Sequence, residues 1–169
     1  DRPTEFALKL RIPYWSNRTN VKLNGTSLKN VKTGKYLVIS RCWYAGDIVQ
    51  IDFDLSFHYW IGELECAEKV SAYRGPVLLT YDRRFNEMDP DDIPMLDASN
   101  LSGSLVSTDQ YTVQPMMLMQ FTGQSDRKLN LCDFASAGEA GSPYLSWLEI
   151  KNVTRTVFSR QNPLRSGRS

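Results

Sequence analysis

The stretch Arg41-Cys-Trp-Tyr-Ala-Gly-Asp-Ile-Val-Gln-Ile-Asp-Phe-Asp-Leu-Ser-Phe57 decides the fold. Ala45-Gly46-Asp47 reads as a tight turn, and the residues after it alternate with a strict period of two. Val49, Ile51, Phe53, Leu55 and Phe57 fall on one side, while Gln50, Asp52, Asp54, Ser56 and His58 fall on the other. Successive side chains of a strand point to opposite faces, so the pattern predicts one half-buried antiparallel strand from Ile48 to Phe57.

Working outward, Phe6, Leu8, Leu10 and Ile12 alternate with Glu5, Ala7, Lys9 and Arg11, a strand that Pro13 closes. Val21 and Leu23 flank Lys22 ahead of Asn24-Gly25, a dipeptide that accepts the positive φ values of a tight hairpin turn. Tyr36 to Arg41 reads as a further strand. Tyr59 to Lys69 has no clear period. Val70 to Tyr81 reads as a strand broken at Gly75-Pro76, where proline lacks the ladder donor and the sheet is expected to bend. The following stretch is rich in aspartate and interrupted by Pro90 and Pro94. Beyond it, Tyr111-Thr-Val, Met116 to Phe121, Leu129 to Leu131 and Tyr144 to Ile150 read as short strands between glycines.

No helical pattern of useful length appears. The expected fold is therefore all-β, an antiparallel β-sandwich built as two small sandwich-like units. The first unit is expected over residues 1–82, a polar linker or long loop over 83–104, a second smaller β unit over 105–159, and a flexible tail over 160–169.

Composition narrows the function classes. A formal net charge of +1 gives no electrostatic footprint for nucleic acid. No apolar run approaches the roughly 18 residues of a membrane-spanning helix. Cys42, Cys66 and Cys132 lack the paired spacing of a zinc or redox motif. The chain enters a strand almost at once after Asp1, which suggests a piece of a longer protein. Asn-x-Ser/Thr triplets begin at Asn17, Asn24, Asn100 and Asn152, the pattern of a glycan acceptor, but loops rich in Asn and Thr produce it readily.

Candidate chemistry is thin. His58 is the one histidine, and without a Gly-x-Ser-x-Gly elbow it reads as solvated or structural. Glu63, Glu65 and Cys66 are of zinc-ligand type, yet a site needs about three or four ligands, and the other thiols are remote in sequence. Asp89 to Asp92 is acidic enough for calcium but lacks the Asp-x-Asp-x-Asp-Gly loop. Two carboxylates at the right separation could hydrolyse a glycosidic bond, and sequence does not supply that separation. No residue is assigned a catalytic or metal-binding role.

Three adjacent aromatic pairs, Tyr14-Trp15, Trp43-Tyr44 and Tyr59-Trp60, lie near strand ends. Aromatic faces at the rim of a sandwich stack on sugar rings, which makes Trp15, Trp43 and Trp60 the candidate carbohydrate-binding residues. The competing reading packs one member of each pair in the core or against a neighbouring domain.

A series of motifs adds a family to this reading. Phe6-Ala-Leu-Lys-Leu-Arg-Ile-Pro-Tyr-Trp15, Val21-Lys-Leu-Asn-Gly25, Gly34-Lys-Tyr-Leu37, Arg41-Cys-Trp43, Gly46-Asp47 and Tyr73-Arg-Gly-Pro76 occur in this order. They resemble the region after the catalytic barrel in β-L-arabinofuranosidase-like proteins of glycoside hydrolase family 127. Asp133-Phe-Ala-Ser-Ala-Gly138 and Tyr144-Leu-Ser-Trp147 resemble that family's C-terminal segment.

The resemblance implies an (α/α)6 barrel elsewhere, with a glutamate acid/base, a cysteine nucleophile and a zinc ion held by glutamate and cysteines. Zinc is expected only there, and no cofactor is expected in this chain. No position here inherits a catalytic role, Cys66 beside Glu65 included, because there is no adjacent Cys-Cys pair. The implied role is accessory: to buttress a barrel of the same polypeptide or to mediate a homodimer. The parent would act on plant-type glycans, in the periplasm or outside the cell, with the cytoplasm as the alternative. A carbohydrate-binding module is the alternative function, and neither nucleic acid nor membrane is an expected partner.

Overall fold

The structure is a computed structural model and describes residues 2–153, so the expected tail at 160–169 lies outside the described residues. The fold is all-β, with antiparallel sheets in a sandwich-like arrangement and 3-10 turns between strands. It divides into two compact units, Asp1–Ser56 and Phe57–Ser169.

In the first unit, β1 (Thr4–Arg11) pairs along its whole length with β4 (Tyr36–Trp43). Opposed residues of an antiparallel pair share a face, so Leu8 meets Ile39 and Leu10 meets Leu37. Ile12 continues the pairing by donating to Lys35 O at 2.9 Å, and Pro13, without a donor, ends it. A second sheet holds β2 (Asn20–Leu23) between β3 (Thr26–Ser27) and β5 (Val49–Asp52). The β2–β3 turn is Asn24-Gly25, with φ of 48° and 80°, the left-handed values that its two-residue geometry requires. Ile12, Val21 and Ile39 are buried here, each such side chain contributing about 1.5–3 kcal/mol.

The strand expected from Ile48 to Phe57 is shorter. β5 stops at Asp52, opposite Asn20 at the start of β2. Side chains then replace the ladder: Asp54 N donates to Ser16 Oγ at 2.8 Å, and Ser56 N donates to Asp54 Oδ1 at 3.1 Å. Phe53 and Leu55, expected in the core, are 41% and 46% exposed. Phe57 and His58 belong to the first strand of the second unit.

That unit is one nine-stranded sheet. Its strands are β6 (Phe57–Ile61), β7 (Lys69–Arg74), β8 (Val77–Asp82), β9 (Leu96–Asp97), β10 (Gly103–Leu105), β11 (Leu118–Thr122), β12 (Lys128–Asp133), β13 (Tyr144–Leu145) and β14 (Leu148–Lys151). The main order is β10-β11-β12-β8-β7-β14-β9, with β6 on β7 and β13 on β8. Every pairing is antiparallel except β14 with β9. Tyr59, Leu79, Tyr81, Phe121, Leu129 and Leu131 form the centre of the core.

Three expectations change at this point. Gly75-Pro76 is the turn of the β7–β8 hairpin, with Arg74 opposite Val77, so the sheet folds back there instead of bending. Residues 83–104 lie inside the second unit, where 3-10 turns and β9 carry them into the parallel pairing with β14. The boundary falls at Ser56 because β8, which precedes that stretch, pairs with β12, which follows it. Strands on both sides of 83–104 thus share one sheet, and residues from 105 onward form no separate unit.

Candidate functional site

In the first unit, the motif residues lock two turns. Asn24 Nδ2 donates to Asp47 Oδ1 at 2.6 Å, while Asn24 Oδ1 accepts from Ile48 N at 2.8 Å. The other oxygen of Asp47 accepts from Tyr44 N at 2.9 Å and lies 3.5 Å from Arg41 Nη2. The Tyr44 N–H, then Asn24, and more weakly the Arg41 charge hold the Asp47 carboxyl below its ordinary pKa. Arg41 also covers the Trp43 ring at 5.4 Å. The Trp43 indole stacks on Phe6 at 5.3 Å and donates Nε1–H to Phe6 O at 3.1 Å.

The three candidate sugar-stacking indoles are all half-buried and already in contact with aromatic neighbours. Trp15 tilts against Phe53 at 5.4 Å, and Trp60 tilts against Tyr73 at 5.6 Å. Trp15 and Trp43 belong to the first unit and Trp60 to the second. Of their sequence neighbours, Tyr59 is fully buried while Tyr14 and Tyr44 are 48% and 56% exposed.

His58, expected on a polar face, is buried on β6, where it sits opposite Tyr73 and stacks on its ring at 5.2 Å. Pairing with β7 instead of continuing β5 turns it inward. Glu63 and Glu65 are exposed around the 3-10 turn Leu64–Cys66, and Cys66 is half-buried. Among the described residues no three His, Cys, Asp or Glu side chains form a set that could hold a metal ion. The donor set that zinc would need is thus missing around Cys66, and Asp92 of the acidic run is instead paired with Arg127 at 2.6 Å.

Residues that carry the C-terminal resemblance converge on two buried aspartates. Asp82, fully buried at the end of β8, accepts from Arg84 Nη2 at 2.9 Å, Ser142 Oγ at 2.7 Å and Gly138 N at 2.8 Å. Burial pushes its pKa up, but the hydrogen bonds from the Arg84 side chain, Ser142 and the Arg84 and Gly138 backbone outweigh this and bring it down to about 2. Asp133 caps the turn Phe134–Ser136 through Ser136 N at 3.1 Å and also accepts from Met117 N at 3.1 Å. Cys132, next to Asp133 on β12, is fully buried, and burial, reinforced by the Asp82 and Asp133 charges, pushes its thiol up to about 12. These groups hold loops together. A carboxylate ionised to about pH 2 is no general acid at neutral pH, and a thiol titrating near 12 is no nucleophile there.

One open cleft, of about 750 Å³, lies beside this hub in the second unit. Asn130 of β12 and Gln120 of β11 stand opposite each other on its floor, joined by Gln120 Nε2 donating to Asn130 Oδ1 at 3.2 Å. Asn86, after the 3-10 turn Arg83–Phe85, donates to Asp82 O and Asn130 O, both at 2.9 Å, and accepts from Asn130 N at 2.8 Å. Tyr111 forms a wall, edge-on to Phe85 at 4.8 Å. This cleft is not visible in the sequence, because single amides on different elements leave no local pattern.

Residues 1–55 match the family model described as "Beta-L-arabinofuranosidase, GH127 middle domain". No curated protein matches the chain. Three solved structures share the fold across most of the chain. One, described as a glycoside hydrolase, has a TM-score of 0.66 at 19% identity, covering 86% of this chain and 28% of its own. A GH127 β-arabinofuranosidase has a TM-score of 0.67 at 19% identity, covering 88% of this chain and 28% of its own. A GH127 β-L-arabinofuranosidase from Geobacillus stearothermophilus T6 has a TM-score of 0.65 at 20% identity, covering 88% and 27%. The likeness to a GH127 middle domain thus rests on residues 1–55, the rest of the chain shares the fold of these structures, and the chain spans little more than a quarter of their length.

Proposed function

We propose that the chain is the non-catalytic accessory region of a glycoside hydrolase resembling the β-L-arabinofuranosidases, and that it supports an (α/α)6 catalytic barrel of the same polypeptide. The observation that carries this reading is the match of residues 1–55 to a GH127 middle domain. The chemistry agrees with it. Asp47, Asp82, Asp92 and Asp133 are engaged in turns, caps and ion pairs, and the Cys132 thiol is buried. On the first unit, Tyr36, Val38 and Ile48 are 61%, 51% and 67% exposed, apolar surface of the kind that a neighbouring domain covers.

In this reading zinc belongs to the barrel. The test is to produce a longer polypeptide with this region intact and with it deleted, and to measure solubility and turnover of an aryl β-L-arabinofuranoside. The reading predicts that deletion lowers both. Full activity and solubility without the region would overturn it.

A further inference from the structure

We propose that the cleft formed by Asn86, Tyr111, Gln120 and Asn130 binds an uncharged sugar or short glycan. Its volume of about 750 Å³ falls within the range of small-ligand sites. Its floor is rigid: the Asn86 side chain bonds the backbone of Asn130 in both directions, and Asn130 Nδ2 donates to Phe85 O at 2.7 Å. Such a floor loses little freedom when a ligand binds.

The floor also keeps open valences. Gln120 spends one amide N–H on Asn130, which leaves its carbonyl oxygen and second N–H for a ligand. Neighbouring donors and acceptors of this planar kind suit vicinal hydroxyl groups, each of which both donates and accepts. Tyr111, half-buried and perpendicular to Phe85, lines the cleft and supplies an aromatic ring for a sugar to pack on.

Charge selects a neutral ligand. Arg127 is paired with Asp92 at 2.6 Å and Arg84 with Asp82 at 2.9 Å, so neither guanidinium is free for an anion. Lys128 and Glu87 in the lining carry opposite charges, and the Lys128 ammonium donates to Thr122 Oγ1 at 2.8 Å. The cleft lies wholly within the second unit and shares no residue with Trp15, Trp43 or Trp60, so its failure would leave the accessory role standing.

The test is titration of the full chain with L-arabinose, D-xylose and D-galactose and their disaccharides, followed by amide chemical shifts, with inorganic phosphate and galacturonate as anionic probes. The proposal predicts saturable shifts at Gln120, Asn130 and Tyr111 with at least one neutral sugar. Gln120→Ala should weaken that binding roughly tenfold while leaving the melting temperature nearly unchanged. Tyr111→Phe should preserve it and Tyr111→Ala should lose it. Absence of shifts, shifts centred on the tryptophans, preference for the anions, or unchanged affinity in Gln120→Ala would each overturn it.

Discussion

Asn24 and Asp47 clamp the two turns of the first unit to each other, with Asn24 Nδ2 and Asp47 Oδ1 only 2.6 Å apart. The clamp explains why an Asn-Gly turn and a Gly-Asp turn accompany each other in this chain. Asn24 also accepts from Ile48 N, just after the other turn, and Asp47 accepts from Tyr44 N at the start of its own turn. Asp47→Ala is expected to lower the melting temperature of the first unit by a few degrees. Asn24→Ala combined with it should cost less than the sum of the two single losses, because either substitution alone already removes the Asn24–Asp47 contact. Calorimetry of the single and double variants measures this, and fully additive losses would contradict the clamp.

Asp82 and Arg84 form the corresponding brace of the second unit. The Asp82 pKa is depressed from 3.8 to about 2, so its ionised form is favoured by folding. The sign follows directly: this stability is present above pH 4 and is lost as the pH falls from about 4 to about 2. It amounts to about 2 kcal/mol. Asp82→Asn should cost roughly 3–5 kcal/mol at neutral pH, because it leaves Arg84 without its buried partner. It should also flatten the acid limb, and denaturant melts across pH 2–6 in both proteins check this.

Gly62 and Cys66 separate a packing role from a chemical one. A Cβ placed on Gly62 would lie 2.0 Å from the backbone oxygen of Cys66, so Gly62→Ala must displace the Leu64–Cys66 turn and should cost about 1–3 kcal/mol. Cys66→Ala, at a half-buried thiol, should cost less than about 1 kcal/mol. Equal effects in equilibrium melts would overturn this assignment.

The Cys132 thiol should resist alkylation. It is fully buried and its pKa is pushed up to about 12, so the thiolate is scarce at neutral pH. Mass spectrometry after brief iodoacetamide treatment should find Cys132 unmodified in the native protein and modified in denaturant. Rapid native labelling would contradict the packing around β12.

Strand existence was legible wherever the period-two pattern was backed by a turn residue: Phe6 to Ile12 with Pro13, Val21 and Leu23 with Asn24-Gly25, and Tyr36 onward. It misleads where polar side chains take over the ladder, as at Asp54, just past the end of β5 at Asp52, while the alternation of Phe53, Leu55 and Phe57 continues. Long-range pairing was invisible for a similar reason. Nothing local in Leu148–Lys151 announces that it pairs with both β7 and β9 and so draws residues 83–104 into the second unit. The motif residues were readable as motifs, but Asp82, which organises Gly138 and Ser142 from far along the chain, carried no local signal.

We propose that this region supports catalysis without performing it. The most direct measurement is hydrolysis of an aryl β-L-arabinofuranoside by the purified 169-residue chain, with and without zinc, beside a longer polypeptide that contains it. Turnover is expected from the longer polypeptide and none from the chain. Turnover by the chain alone, abolished by Glu65→Ala or Cys66→Ala, would contradict it.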